Sequence, residues 1–133
     1  MAKPPSPLIA LADLDLLGPK AVGLVKAAHE GGIEWVLLRA KKSPRKEALK
    51  AALEIISSCP RLFTSLHGSE SEREKVGAGG IHFPSGRLAS FRGGAPKNVV
   101  AGVSCHLNEE ILGAFEDGAD YVFLSQLFAP LSK

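Results

Sequence analysis

Two cations one residue apart, Arg39 and Lys41, follow directly on the apolar run Trp35-Val36-Leu37-Leu38. An Arg guanidinium suits bidentate contact with phosphate, and a Lys ammonium supplies a compact point charge. Further on, Gly102-Val103-Ser104-Cys105-His106 sets a hydroxyl and an imidazole at the end of another apolar run. The last stretch, Ser125-Gln126-Leu127-Phe128-Ala129-Pro130-Leu131-Ser132-Lys133, is a Pro/Ser/Lys segment of the kind that holds phosphate. These groups point to the binding of a small anion. Competing bland readings stand beside them. The basic group Arg39, Lys41, Lys42, Arg45 and Lys46 also reads as a solvated helix start. His82, next to Phe83 in an apolar run, reads as a hydrogen-bonded core or barrel-end histidine. His29 reads as a structural residue at a helix C-terminus, and Cys105 as a small packed thiol without an Asp or Asn partner.

The elements that must position these residues are legible from one recurring phrase: a helical pattern, then Gly, then a short apolar run. It occurs at Glu30-Gly31-Gly32-Ile33, at Val76-Gly77-Ala78-Gly79-Gly80-Ile81 and at Asp117-Gly118-Ala119-Asp120-Tyr121. Glycine just past a helix supplies the left-handed cap that turns the chain into the next strand. Continuous apolar strands are those of a parallel sheet covered by helices. The patterning predicts strands near 8–12, 33–39, 61–66, 80–83, 98–103 and 120–125, and helices near 19–30, 44–58, 70–77 and 108–117. Ser43 is expected to cap the second helix with Pro44 at its first position, and Leu49, Leu53 and Ile56 to form its buried face. Asn108 is expected to cap the last helix, whose Ile111, Leu112 and Phe115 would pack on the sheet. Segment 84–97 reads as a loop with at most one helical turn. Six such strands fit either an open doubly wound sheet or three-quarters of a (β/α)8 barrel. No Gly-x-Gly-x-x-Gly follows the first strand, where Ala12-Asp13-Leu14-Asp15 stands, so a dinucleotide fold is disfavoured.

Composition sets the limits. With 133 residues, 45% of them apolar and 23% charged, the chain has the makeup of one ordinary globular domain. A net charge of only +2 gives no sign of a nucleic-acid partner. The apolar runs are too short for a membrane span, and Asp13 and Asp15 interrupt any signal-peptide core. Cys59 and Cys105 lack metal-type spacing, which suggests reduced thiols and a cytoplasmic location.

Taken in order, Leu38-Arg39-Ala40-Lys41, Gly77-Ala78-Gly79-Gly80-Ile81-His82, Gly102-Val103-Ser104-Cys105-His106, Gly118-Ala119-Asp120-Tyr121-Val122 and Phe128-Ala129-Pro130-Leu131-Ser132-Lys133 resemble the thiamine phosphate synthase family and its TenI-like thiazole tautomerase relatives. The resemblance runs from about residue 8 to residue 133 and implies an α/β fold of the (β/α)8 TIM-barrel type. It implies a single domain over 1–133 that stops after strand six, with the C-terminal two βα units missing. The implied reaction couples hydroxymethylpyrimidine diphosphate with thiazole phosphate and releases diphosphate. The implied ligands are therefore phosphorylated pyrimidine or thiazole compounds. On this resemblance Arg39, Lys41 and Lys133 match diphosphate-contacting cations, and Ser104 and Ser132 match hydroxyl donors.

The same resemblance marks departures. The family's synthases hold Mg2+ with two aspartates. Here His67-Gly68-Ser69 stands where one belongs, and Pro84-Ser85-Gly86-Arg87 where the other does. Leu37 replaces a pyrimidine-reading Gln. The tautomerase relatives use a histidine in the loop after strand six, where this chain has Gln126, an amide that cannot shuttle a proton. His67 and His106 are the candidates to substitute for it. The alternatives to a synthase are thus a TenI-like tautomerase or a non-catalytic member that binds a phosphorylated ligand. With six strands, the unpaired first and last strands are expected to favour self-association.

Overall fold

A computed structural model describes residues 3–84 and 98–125. Strand β1 (Ala10–Asp13) runs into one helical turn, α1 (Leu14–Leu17), a 3-10 turn (Gly18–Lys20) and α2 (Ala21–Glu30). Strand β2 (Trp35–Arg39) leads to α3 (Arg45–Ser58), and β3 (Phe63–His67) to α4 (Glu70–Val76). Then come β4 (Gly80–Phe83), β5 (Val100–Cys105), α5 (Asn108–Glu116) and β6 (Tyr121–Leu124). The recurring helix–Gly–strand phrase acts as expected: Gly77 closes α4 at φ +75°, a conformation that costs glycine little. At its other end α4 carries a reciprocal capping box between Ser69 and Glu72.

All six strands are parallel and each pairs with its sequence neighbour, in the order β1-β2-β3-β4-β5-β6. A doubly wound sheet would carry its first strand inside; this order is that of a (β/α)8-type barrel, represented by six strands. The sheet is curled. Trp35 on β2 and Tyr121 on β6 lie four strands apart, roughly 19 Å in a flat sheet, yet their ring centroids are 4.9 Å apart, edge to face.

The strand pleat sorts side chains between two faces. Val36, Leu38 and Leu66 turn outward onto Val25 of α2 and Ala52 and Ile55 of α3, forming one core. Ile81, Ala101, Val103 and Cys105 form a second with Ala114 of α5. Trp35, Ser65, His82, Ser104 and Tyr121 take the alternate positions inside the curl, where Trp35 hydrogen-bonds Ser65, and His82 hydrogen-bonds Tyr121 and Ser104.

Several local expectations are corrected. The buried stripe of α3 is Ala48, Ala52 and Ile55; Leu49 and Ile56 pack partly buried against the same core as expected, while Leu53 is 47% exposed. Small alanines let the helix approach the sheet closely, which sets its rotation. On α5 the buried residue is Ala114, with Ile111 packed beside it; Leu112 (68% exposed) and Phe115 face outward. Pro44 and Leu107 occupy the N-cap positions in place of Ser43 and Asn108. The Ser43 hydroxyl is drawn away to Asp15. The helical turn α1, at Leu14–Leu17, was not anticipated. The expected loop over 84–97 lies almost wholly outside the described residues.

One glycine inside the curl is dictated by packing. A Cβ on Gly102 would fall within the Tyr121 ring, because Gly102 on β5 is the residue aligned with Tyr121 on β6. Gly102→Ala should therefore destabilise the fold by about 1–3 kcal/mol through overpacking, read as a lower urea midpoint at unchanged m-value. An unaltered midpoint would contradict this packing.

Candidate functional site

The carboxyl ends of the strands surround a cavity of about 820 Å³. Its wall includes Arg39 and Lys41 from the end of β2, His67 from β3, His82 from β4, Ser104 and His106 from the end of β5, and Phe123 from β6. The structure thus brings together five of the residues singled out from the sequence: Arg39, Lys41, His67, Ser104 and His106. The other three, Gln126, Ser132 and Lys133, lie outside the described residues.

The cationic side of the cavity is built by carboxylates. Asp15 in α1 accepts hydrogen bonds from the backbone N–H groups of Lys41, Lys42 and Ser43 at 2.9, 2.9 and 2.7 Å. It also accepts from the Ser43 hydroxyl. These bonds, the Ser43 hydroxyl foremost, hold the Asp15 carboxyl far below the usual carboxylate range. Asp13 pairs more loosely with Arg39, at 3.4 Å, and both remain partly exposed. One turn deeper, the Arg45 guanidinium bonds Glu72 at 2.8 Å and the Ala40 carbonyl at 2.6 Å. That pair ties the loop after β2 to the start of α4, and it lowers the Glu72 pKa. The tetrad Ala12-Asp13-Leu14-Asp15, noted in the sequence only for what it is not, is the support on which Lys41 stands.

His67 is half-buried in the cavity wall. Burial, followed by the positive charges of Lys41, Arg39 and Arg45, lowers its pKa, so the ring is neutral near pH 7. Those cations oppose the imidazolium that proton abstraction would create. His106 is exposed, and its Nδ1 donates to the Ser125 carbonyl oxygen at 2.5 Å. A carbonyl can only accept, so Nδ1 carries a hydrogen. From the helix that follows, Glu110 reaches back to accept from the His106 backbone N–H at 2.9 Å.

Sequence reasoning set His82 aside as a core residue, and it is fully buried, but it also reaches the cavity. Its Nδ1 meets the Tyr121 hydroxyl at 2.9 Å and its Nε2 meets Ser104 Oγ at 2.8 Å. Ser65 Oγ accepts from the Trp35 indole N–H at 2.9 Å. The sequence signal for this set was polar residues at alternate strand positions, Ser65 and His67 on β3 and His82 on β4, within otherwise apolar runs. Burial, then the nearby charges of His67 and Arg39, pushes the His82 pKa down to about 3. Burial likewise raises that of Tyr121 and of Cys105.

A Mg2+ site of the expected family type does not fit the described residues. Asp13 and Asp15 are engaged by Arg39 and by loop N–H groups, and Glu72 is engaged by Arg45. Gly68, where a carboxylate would be needed, offers no ligand, and among the described residues no cluster of three His, Cys, Asp or Glu side chains could hold an ion. Nor, among them, is any helix long and apolar enough to cross a membrane.

A curled parallel β/α sheet with its polar cavity at the carboxyl ends of the strands defines a (β/α)8-type barrel protein. The model of the thiamine monophosphate synthase family matches residues 8–133, and the chain belongs to that family. A thiamine-phosphate synthase of Clostridium perfringens is 34% identical over 113 residues, covering 81% of this chain and 54% of that protein. One from Caldicellulosiruptor bescii is 29% identical over 123 residues, covering 87% of this chain and 55% of its own length. The chain thus spans about half the length of the curated relatives it matches. Its fold is shared with a solved thiamine phosphate pyrophosphorylase from Pyrococcus furiosus, at a TM-score of 0.77 and 23% identity, over 90% of this chain and 60% of that one.

Two outcomes follow from these geometries. The unfolded imidazole protonates near its ordinary value of 6.5 and folded His82 only at about 3, so in that window the unfolded state holds more protons. Stability is therefore present above 6.5 and lost as the pH falls toward 3, and His67 adds in the same sense. Urea midpoints should fall from about pH 7 to about pH 4, and fall less in a His82→Gln variant; equal falls in both proteins would refute the assignment. Asp15→Ala should free the amides of residues 41–43, seen as faster hydrogen exchange there while the α3 core keeps its protection.

Proposed function

We propose that the cavity at the strand ends binds a phosphorylated pyrimidine or thiazole compound of thiamine biosynthesis, in the manner of a thiamine phosphate synthase. The carrying observation is the convergence on one cavity of the cations Arg39 and Lys41 with the hydroxyl of Ser104. Arg39 and Lys41 contact phosphate oxygens and Ser104 donates to the ligand from the opposite wall. Ser132 and Lys133 extend the same phosphate contact in this reading. Family membership supports this substrate class, and the resemblance in sequence implies the reaction: joining of hydroxymethylpyrimidine diphosphate to thiazole phosphate with release of diphosphate. Such chemistry asks for neutralisation of a departing diphosphate more than for acid–base groups. His67, kept neutral between cations, serves as a ligand contact, with His106 as a further polar group of the cavity wall; Gln126 is a candidate by the resemblance alone. The cytoplasm, with its reduced thiols, is the expected setting.

Self-association through the sheet edges belongs to the same proposal. Leu8, Leu11 and Leu24 lie exposed beside β1, and Leu112, Phe115 and Leu124 beside β6. Both edge strands can pair with a further strand, whether from a second copy or from a longer polypeptide.

Calorimetric titration with thiamine phosphate, thiazole phosphate and inorganic diphosphate tests the ligand reading. Saturable binding is expected, weakened about tenfold or more by Arg39→Ala or Lys41→Ala, as for loss of a charge-assisted contact. The weakening should shrink as salt is raised at Lys41, whose side chain is exposed. Absence of saturable binding to all three compounds would overturn it.

A further inference from the structure

We propose that the strand-end cavity takes its phosphorylated ligand as the metal-free anion, with Arg39 and Lys41 supplying the positive charge. Mg2+ in solution then competes with the protein for the ligand and does not join it in the site. A Mg2+ that rides on a phosphate is ordinarily fastened to a protein by one or two carboxylates. The ionisable groups of this wall are two cations and three imidazoles: Arg39, Lys41, His67, His82 and His106. Among the described residues no Asp or Glu lines it. All 14 acidic residues of the sequence lie within 3–84 and 98–125, so the other stretches of the chain have none to add. In sequence, 85–97 and 126–133 carry only basic ionisable side chains: Arg87, Arg92, Lys97 and Lys133.

Carboxylates bonded to the wall or to its loops are already engaged. Asp13 accepts from the Asp15 N–H at 3.0 Å through one oxygen and pairs with Arg39 through the other. One Asp15 oxygen takes the N–H groups of Lys41 and Lys42, and the other takes the Ser43 N–H and hydroxyl. Turning Asp15 toward a metal would break all of these bonds and release the loop that carries Lys41. Glu72 is held by Arg45 and the Ser69 N–H, and Glu110 by the His106 N–H. What the wall has left for a metal is imidazole nitrogen and the Ser104 hydroxyl. Imidazole suits zinc or copper, whereas Mg2+ is a hard cation that keeps oxygen ligands. A Mg2+ carried in on the ligand would also face the like charges of Arg39 and Lys41, with no carboxylate to offset them. The bare anion meets the same two charges as attraction.

That the ligand carries phosphate rests on the reading proposed above; the poor fit of the wall to Mg2+ does not. Calorimetric titration with inorganic diphosphate at matched ionic strength, in EDTA and in Mg2+, tests the proposal. With Mg2+ set to chelate about nine-tenths of the diphosphate, the apparent Kd should rise about tenfold, because only the free anion is competent to bind. Thiazole phosphate, a monoester and a weaker chelator, should lose less. Diphosphate binding that is tighter in Mg2+, or equal in the two buffers, would overturn the proposal. A second measurement needs no ligand. Mg2+ added to the 15N-labelled free protein should leave the amide resonances of Arg39, Lys41, His67, Ser104 and His106 where a matched addition of NaCl leaves them. A saturable shift confined to these residues would also overturn the proposal. Absence of binding to both compounds in both buffers, with the resonances unmoved, would instead reject the phosphate reading and leave the wall established as one that does not take Mg2+.

Discussion

The interior depends on one close approach: the Tyr121 ring lying against the backbone of Gly102. Where β5 carries no side chain, a residue of β6 can reach past it to β4, and its ring can meet Trp35 of β2. That contact fills the inside of the curl with aromatic surface, and it places a phenol against His82. Shape and hydrogen bonding therefore constrain the same residue. Position 102 must be small for the ring to fit, and the ring must carry its oxygen for the buried His82 Nδ1 to be satisfied.

The rim of the cavity follows a different logic. Positive charge gathers at the end of β2, and carboxylates that do not face the ligand hold it in place. Asp15 satisfies the N–H groups of the loop that carries Lys41, and Glu72 fixes Arg45 behind it. Because Asp15 already occupies those backbone donors, the loop offers an incoming anion its side chains and not its amides. The resulting field also reaches His67 and His82, whose neutral rings are those least penalised beside Arg39 and Lys41.

Most of the fold was legible in the sequence because its grammar is local. Each helix–Gly–strand phrase reports a cap conformation that glycine tolerates, and the apolar runs report strands covered on one side by helices. The choice between barrel and open sheet was not local, since it rests on which strands pair, and composition is silent on pairing. Helix faces were misjudged for a related reason. The sequence favours large residues such as Leu53 and Phe115 as core, whereas close helix–sheet contact selected Ala48, Ala52 and Ala114. At the site, Arg39, Lys41, Ser104, His67 and His106 were recognisable by type and position at strand ends. Asp15 was not, because its role is to bind backbone N–H groups 26 to 28 residues away. Tyr121 was missed because its partner His82 sits two strands away, across the side-chain-free Gly102.

The strict pairing of each strand with its predecessor bears on how the molecule comes into being. During synthesis, every strand emerges to find its neighbour already made, so the sheet can grow by template addition from β1 onward, with little chain to close at each step. The outer cores mirror this growth, one gathered over β1 to β3 and the other over β4 to β6. The interior aromatic contact between Trp35 and Tyr121 crosses that division, joining β2 to β6. A sheet grown strand by strand thus gains this contact only after the five strands β1 to β5 are in place, so the inside of the curl is packed later than the two cores that cover its outside.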